Sequence, residues 1–200
     1  MKTYRALALV GLICVTFYLG ACSKSAPTTQ PVVKAPVAAV APKPAPHAPT
    51  VTAYNGLLYA EMGGLVTALE KRGDQVSLLW HDAQRTDTNC PEYIIGHSLG
   101  GNAAIRQAVK CQSAGRPPKA IVIIDAGRAP TTYQIPANAK FTCQSFYNPA
   151  HPIGGQVIEP DGTKLGQCHN TVVPGYDHLQ MPAAPGIVKA ILNTIPVATK

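Results

Sequence analysis

The chain has 200 residues, 46% of them hydrophobic and 14% charged, with 17 Lys+Arg against 10 Asp+Glu and a formal net charge of +7. Five of the basic residues, Lys2, Arg5, Lys24, Lys34 and Lys43, lie before residue 51, so the stretch from Val51 to Lys200 carries 12 basic and 10 acidic side chains, a net of +2. That balance excludes the basic stripe of a nucleic-acid-binding protein, and a stretch of this length suffices for one core and one domain.

Lys2 and Arg5 precede an apolar run from Ala6 to Ala21, the layout of a secretory signal. The run is shorter than the roughly 20 residues a membrane-spanning helix needs. It ends in Leu19-Gly20-Ala21-Cys22, which resembles the lipobox of a bacterial lipoprotein signal. The resemblance implies that residues 1–21 are a signal peptide, removed by cleavage before Cys22, and that Cys22 is lipidated. Ser23 is not an acidic retention signal, so the resemblance points to the outer membrane, with the chain facing the periplasm.

Residues 22–50 read as the lipidated Cys and a tether. From Ser23 to Thr50 there are seven Pro, seven Ala and three Lys, with no acid and no periodicity that could form a core. Pro-rich chain extends about 3.1 Å per residue, giving the tether a reach of up to roughly 90 Å.

Within residues 51–200 the pattern alternates strand and helix. Val51-Thr52-Ala53-Tyr54 reads as a strand ending at Asn55-Gly56, and Glu61 to Arg72 as a helix stopped by Gly73-Asp74. Gln75 to Trp80 is a second strand, followed by a link from His81 to Glu92 with no helical period. Tyr93-Ile94-Ile95 is a short buried strand, and Asn102 to Gln112 a helix with Ala103, Ala104, Ala108 and Val109 inward. Ala120 to Ile124 is continuous and β-branched, the signature of a strand covered on both faces. Phe141 to Tyr147 and Thr171-Val172-Val173 read as further strands, and Ile187 to Ile195 as a terminal helix. Such alternation implies an α/β fold with a parallel sheet and right-handed crossovers, whose ligands bind beyond the carboxyl ends of the strands. Asn55, His81, Ser98, Asp125 and Asn148 all fall just after strands.

Gly96-His97-Ser98-Leu99-Gly100-Gly101 fits the pattern G-x-S-x-G between a predicted strand and a predicted helix, the context of a nucleophile elbow. There a serine is held in a strained turn with its hydroxyl above the sheet, and free N–H groups of the helix start stand behind it.

Cys90, Cys111, Cys143 and Cys168 remain beyond the tether, an even number that reads as two disulfides in an exported chain. Cys90 precedes the strand that climbs to Ser98, and Cys111 ends the helix that descends from it, which favours Cys90–Cys111 and leaves Cys143–Cys168. There is no C-x-x-C or H-x-x-x-H spacing, so the sequence supports no metal site, and no cofactor motif is present.

With Ser98 and the later Tyr176-Asp177-His178-Leu179, the stretch from Val51 to Thr194 resembles a small α/β-hydrolase of the esterase, lipase and thioesterase kind. The order serine, acid, histidine agrees with that fold. The resemblance implies Ser98 as nucleophile, His178 as base, and an oxyanion hole from the N–H of Leu99 and that of Leu57 in Asn55-Gly56-Leu57-Leu58. Asn55 stands where lipases of the family carry His. The strand expected to supply the acid ends Tyr147-Asn148-Pro149 with no carboxylate, which leaves Asp125, favoured by its strand end, or Asp161 in a later loop. Asp177 is too close in sequence to His178 to reach its ring. His97 reads as a packing or orienting residue, His81 and His151 as borders of the cleft, and His169 as structural.

The two strands that usually open the fold are missing, and loops replace some of its helices, so this is a minimal version. The expected function is a cell-envelope serine hydrolase that cleaves a small-molecule acyl ester or thioester and is held to a membrane by its lipid anchor. The alternative is a non-catalytic envelope lipoprotein that uses the scaffold for binding. Penicillin-binding acyl transfer would need S-x-x-K, and no serine in the chain has Lys three residues on.

Overall fold

The computed structural model describes residues 47–57, 62–127, 134–155, 157–158 and 168–197. The signal peptide, Cys22, most of the tether, Leu58 and Asp161 lie outside the described residues. All the described residues fall within the unit Pro44–Lys200.

Among the described residues six strands form one sheet: β1 (Thr50–Asn55), β2 (Gln75–Trp80), β3 (Tyr93–His97), β4 (Ala120–Ile124), β5 (Thr142–Tyr147) and β6 (Cys168–Val172). Their order is β2-β1-β3-β4-β5-β6, and every pairing is parallel. Among the described residues three helices flank it, α1 (Gly63–Lys71), α2 (Leu99–Ser113) and α3 (Pro185–Thr194). Between β2 and β3 there is only a single 3-10 turn, Ala83–Arg85, as the short His81–Glu92 link suggested.

The period-two alternation of each strand divides the core into two layers. Val51 and Ala53, Tyr93 and Ile95, and Ala120, Val122 and Ile124 face α1 and α3, meeting Leu65, Leu69, Ile187 and Ile191. The intervening residues Tyr54, Ile94, Ile121 and Ile123 face α2, meeting Ala103, Ala104, Ile105 and Ala108. The small alanines let α2 lie close on the sheet. β3 and β4 are buried at every position, which explains the apolar runs Tyr93-Ile94-Ile95 and Ala120–Ile124.

Two boundaries differ usefully from the sequence pattern. α2 begins at Leu99, three residues earlier than the apolar period indicates, because the glycines at 100 and 101 are helical although they contribute no side chain to a periodic stripe. β6 runs Cys168–Val172 and not Thr171–Val173; its first residues carry polar side chains, and Cys168 is held in register opposite Cys143. The disulfides are Cys90–Cys111 and Cys143–Cys168, spanning 21 and 25 residues.

This topology positions the site. From β1 the chain moves outward to β2, whereas from β3 onward it moves the opposite way, with α1 and α2 on opposite faces. The loops that leave the carboxyl ends of β1 and β3 therefore diverge, opening a crevice at the switch point. Asn55-Gly56 and Ser98 stand on its two sides.

Candidate active site

Ser98 joins β3 to α2 with φ 55° and ψ −125°, in the left-handed half of backbone space that a residue with a β-carbon occupies only at a cost. The surroundings enforce this turn. The Ser98 amide donates to the Ile124 carbonyl at 3.0 Å, and the Ser98 carbonyl accepts from the Gly101 amide at 3.0 Å. The flanking glycines are required by close approach: a β-carbon on Gly96 would stand 2.1 Å from the Gly100 carbonyl oxygen, and one on Gly100 would stand 2.0 Å from that of Tyr54. The elbow is thus wedged between its own helix and β1, and any side chain at either position would drive it open. Leu99 follows as the first residue of α2, where a backbone N–H has no intrahelical acceptor.

Asp125 immediately follows β4, is fully buried and also has positive φ, at 44°. Both carboxylate oxygens are saturated. Oδ1 accepts the backbone N–H of Asn148 at 3.0 Å and that of Gly155 at 2.9 Å. Oδ2 lies 2.6 Å from Nδ1 of His178 and 2.5 Å from Nδ1 of His151. Burial alone would push this carboxyl up, but the hydrogen bonds from His178, the Asn148 amide and His151 outweigh it and hold the carboxyl below the usual carboxylate range.

His178 lies in the loop after β6 and is buried. With Nδ1–H committed to Asp125, its Nε2 carries the lone pair, the tautomer a general base requires. His97 Nε2 donates to the His178 carbonyl at 2.8 Å, and the two rings are 4.7 Å apart between centroids. Because His97 directly precedes Ser98, this contact ties the histidine loop to the elbow across 81 residues of sequence. His97 is therefore an orienting residue, with its ring packed against His178.

The other residues singled out in the sequence fall as follows. Gly56 lies against Ser98, and Leu57 beyond it is exposed. His81, after β2, donates from Nδ1 to the Gly56 carbonyl at 3.2 Å, fixing the loop that leaves β1. Asp177 accepts the Gln180 amide at 2.9 Å and shapes its own turn. His169 is exposed on β6. Asn148 occupies the strand end where a carboxylate is absent, and it supports Asp125 with its backbone N–H.

His151 is the residue whose part the sequence did not reveal. Beyond bordering the cleft, it is the second ring on the Asp125 carboxylate. The only available signal was its position three residues beyond Asn148, and a loop histidine cannot be paired by sequence with an acid 26 residues earlier.

Asp125, His151 and His178 also form a group whose possible ligand atoms lie within 4.8 Å of one another. Two protein ligands on a zinc ion, each about 2.0–2.2 Å from it, stand roughly 3.3 Å apart. The 2.5 and 2.6 Å separations are those of N–H···O bonds, and the donor set is read as hydrogen-bonded.

No family model and no curated protein matches the sequence. Solved structures do match in fold. The metagenome-derived lipolytic enzymes LipS and LipT give a TM-score of 0.52 at 10% identity, covering 76% of this chain and 95% of theirs. The NocB thioesterase domain, in covalent complex with a fluorophosphonate nocardicin G analogue, gives 0.50 at 13% identity, covering 74% and 94%. RedJ, a thioesterase of prodiginine biosynthesis in Streptomyces coelicolor, gives 0.45 at 14% identity, covering 79% and 90%. The six-stranded parallel sheet with its flanking helices has the α/β-hydrolase fold.

Proposed function

We propose that this chain is a serine hydrolase of the bacterial cell envelope that cleaves a carboxylic ester or thioester through an acyl-enzyme. The observation that carries the reading is the 2.6 Å bond from His178 Nδ1 to the buried Asp125 carboxylate, with the His178 carbonyl tied to His97, the neighbour of a serine at positive φ. Esterases, lipases and thioesterases among proteins of the same fold support the substrate class. Leu19-Gly20-Ala21-Cys22 supports the envelope and the lipid anchor.

In this mechanism Ser98 Oγ attacks the acyl carbon while His178 Nε2 takes its proton. The tetrahedral oxyanion is met by the N–H groups of Leu99 and Leu57, and Asp125 stabilises the imidazolium without accepting its proton. As the C–O or C–S bond breaks, His178 protonates the leaving alcohol or thiol. Water then enters, loses a proton to His178 and attacks the acyl-serine, releasing the acid and restoring Ser98.

The test is labelling of the purified protein with a fluorophosphonate, together with turnover of a short-chain nitrophenyl ester. Wild type should lose activity as it is labelled at Ser98, and Ser98→Ala should remain folded, unlabelled and inactive. A folded wild-type protein that neither labels nor turns over ester would support a binding lipoprotein instead, and turnover retained by Ser98→Ala would remove the mechanism.

A further inference from the structure

A serine, an acid and a histidine suffice for the chemistry above, yet this acid carries two imidazoles on one oxygen. His151 is itself buried, with Nδ1 2.5 Å from Asp125 Oδ2 and Nε2 2.9 Å from the Tyr176 carbonyl oxygen. A carboxylate and a carbonyl are both acceptors, and each ring nitrogen makes its shortest contact with one of them. The remaining neighbour of Nε2 is the Asn148 amide nitrogen at 3.2 Å. The orientation of that amide is fixed, because its oxygen accepts the Ala150 N–H at 3.1 Å and its nitrogen donates to the same Tyr176 carbonyl at 3.2 Å. Two donors thus converge on the Tyr176 oxygen, and the shorter of the two bonds belongs to the histidine. A neutral ring could accept the second Asn148 N–H on Nε2, but it would then turn that lone pair toward the Tyr176 oxygen at 2.9 Å, so the shorter contact assigns the cation.

We propose that His151 is a positioning residue: a cationic partner that fixes Asp125 and, through its charge, keeps His178 free to act as a base at lower pH. This rests on the hydrolase reading of the site. The His151 and His178 rings are 6.0 Å apart, edge to face, both bonded to the same oxygen. A positive charge on one opposes a second on the other. Sharing Oδ2 also weakens that oxygen as an acceptor for His178 Nδ1–H, and both effects have the same sign. Among the described residues, the groups that face His151 are Asp125 after β4, Asn148 after β5, and the Tyr176 carbonyl and His178 after β6. His97, after β3, backs His178 from the other side. Asp125 is the one acid in this group, and two rings depend on it.

The experiment compares wild type with His151→Gln, whose amide can donate to Asp125 but cannot be charged. The readout is kcat/KM for ester hydrolysis as a function of pH. The acid limb should move to higher pH by about two units in the variant, the scale of one charge acting over this distance at an effective dielectric constant of about 20. A residue that merely fills space would lower the whole profile and leave the limb in place, so an unmoved limb in folded His151→Gln overturns the proposal.

A second arm needs neither the variant nor activity. Nitrogen-15 NMR of the histidine rings in the wild-type full chain should find both nitrogens of His151 protonated at neutral pH, and one bare nitrogen would overturn the assignment. Failure of the hydrolase reading is seen separately, as wild-type protein that does not label at Ser98 whatever the state of His151.

Discussion

Gly56, the first residue beyond β1, stands so close to Ser98 that a β-carbon on it would lie 2.6 Å from Ser98 Cβ and 3.0 Å from Ser98 Oγ. The backbone leaving β1 is therefore in van der Waals contact with the proposed nucleophile, and the His81 bond to the Gly56 carbonyl holds it there. That intimacy is what an oxyanion donor at Leu57 requires, since a backbone N–H must lie within hydrogen-bond reach of the reacting carbonyl.

Gly56→Ala should accordingly displace Ser98 or the β1 loop by several tenths of an ångström. We expect kcat/KM for a nitrophenyl ester to fall by about 100-fold, the scale of small misplacements in a preorganised site. A variant with wild-type turnover and an unchanged melting temperature would show that the contact tolerates a methyl group.

Asp125→Asn should cut kcat by about 10⁴, because the amide cannot stabilise the imidazolium and favours the wrong tautomer. Stability should change with pH in a definite direction. The Asp125 carboxyl, desolvated but more than compensated by its hydrogen bonds, is held below its unfolded value in the folded protein. It contributes stability that is fully present above the unfolded value of about 3.9 and is lost as pH falls through the folded one. Melting temperature measured from pH 6 down to pH 2 should drop more steeply for wild type than for Asp125→Asn.

Cys143 and Cys168 join adjacent strands at opposed positions, and the chain between them supplies Asn148, His151 and Gly155 to Asp125. Replacing both with Ser should destabilise the fold by about 2–5 kcal/mol, read by urea denaturation. Peptide mapping of unreduced protein should yield Cys90–Cys111 and Cys143–Cys168 peptides. A Cys90–Cys143 or Cys90–Cys168 peptide would contradict the strand order.

For the anchor, Cys22→Ala should abolish lipidation and block signal processing. Wild-type protein should fractionate with membranes and gain acyl mass at Cys22. Recovery of soluble wild-type protein with no added acyl mass would remove the anchor.

Much of the fold was legible because its signals are local. Ala120–Ile124 has no polar residue to mislead, β2 was legible to the residue, and the elbow glycines mark a turn no other residue could fill. The start of α2 was hidden by helical glycines, and that of β6 by the polar run His169-Asn170-Thr171, whose place is set by pairing with β5. Within the site, Ser98 and Asp125 fall just after strands and were reachable through that rule, and His178 through the resemblance carried by Tyr176-Asp177-His178-Leu179. The second ring on Asp125 was not, since its meaning lies in a loop doubling back on a strand end, and no spacing encodes that return. The bond from His97 to the His178 carbonyl is equally distant in sequence.

All five pairings of the sheet being parallel has a kinetic consequence. No two neighbouring strands can be joined by a hairpin, so every ladder has to wait for a crossover to close, and the entropy of that closure is lost before any pairing compensates it. Refolding should be slow for a chain of this length, with apolar strands such as Ala120–Ile124 left open to association meanwhile. The two sulfur bridges shorten the search by closing intervals of 21 and 25 residues in advance. A denatured chain with both bridges intact should therefore regain its native fluorescence faster, and with less aggregate, than the same chain reduced.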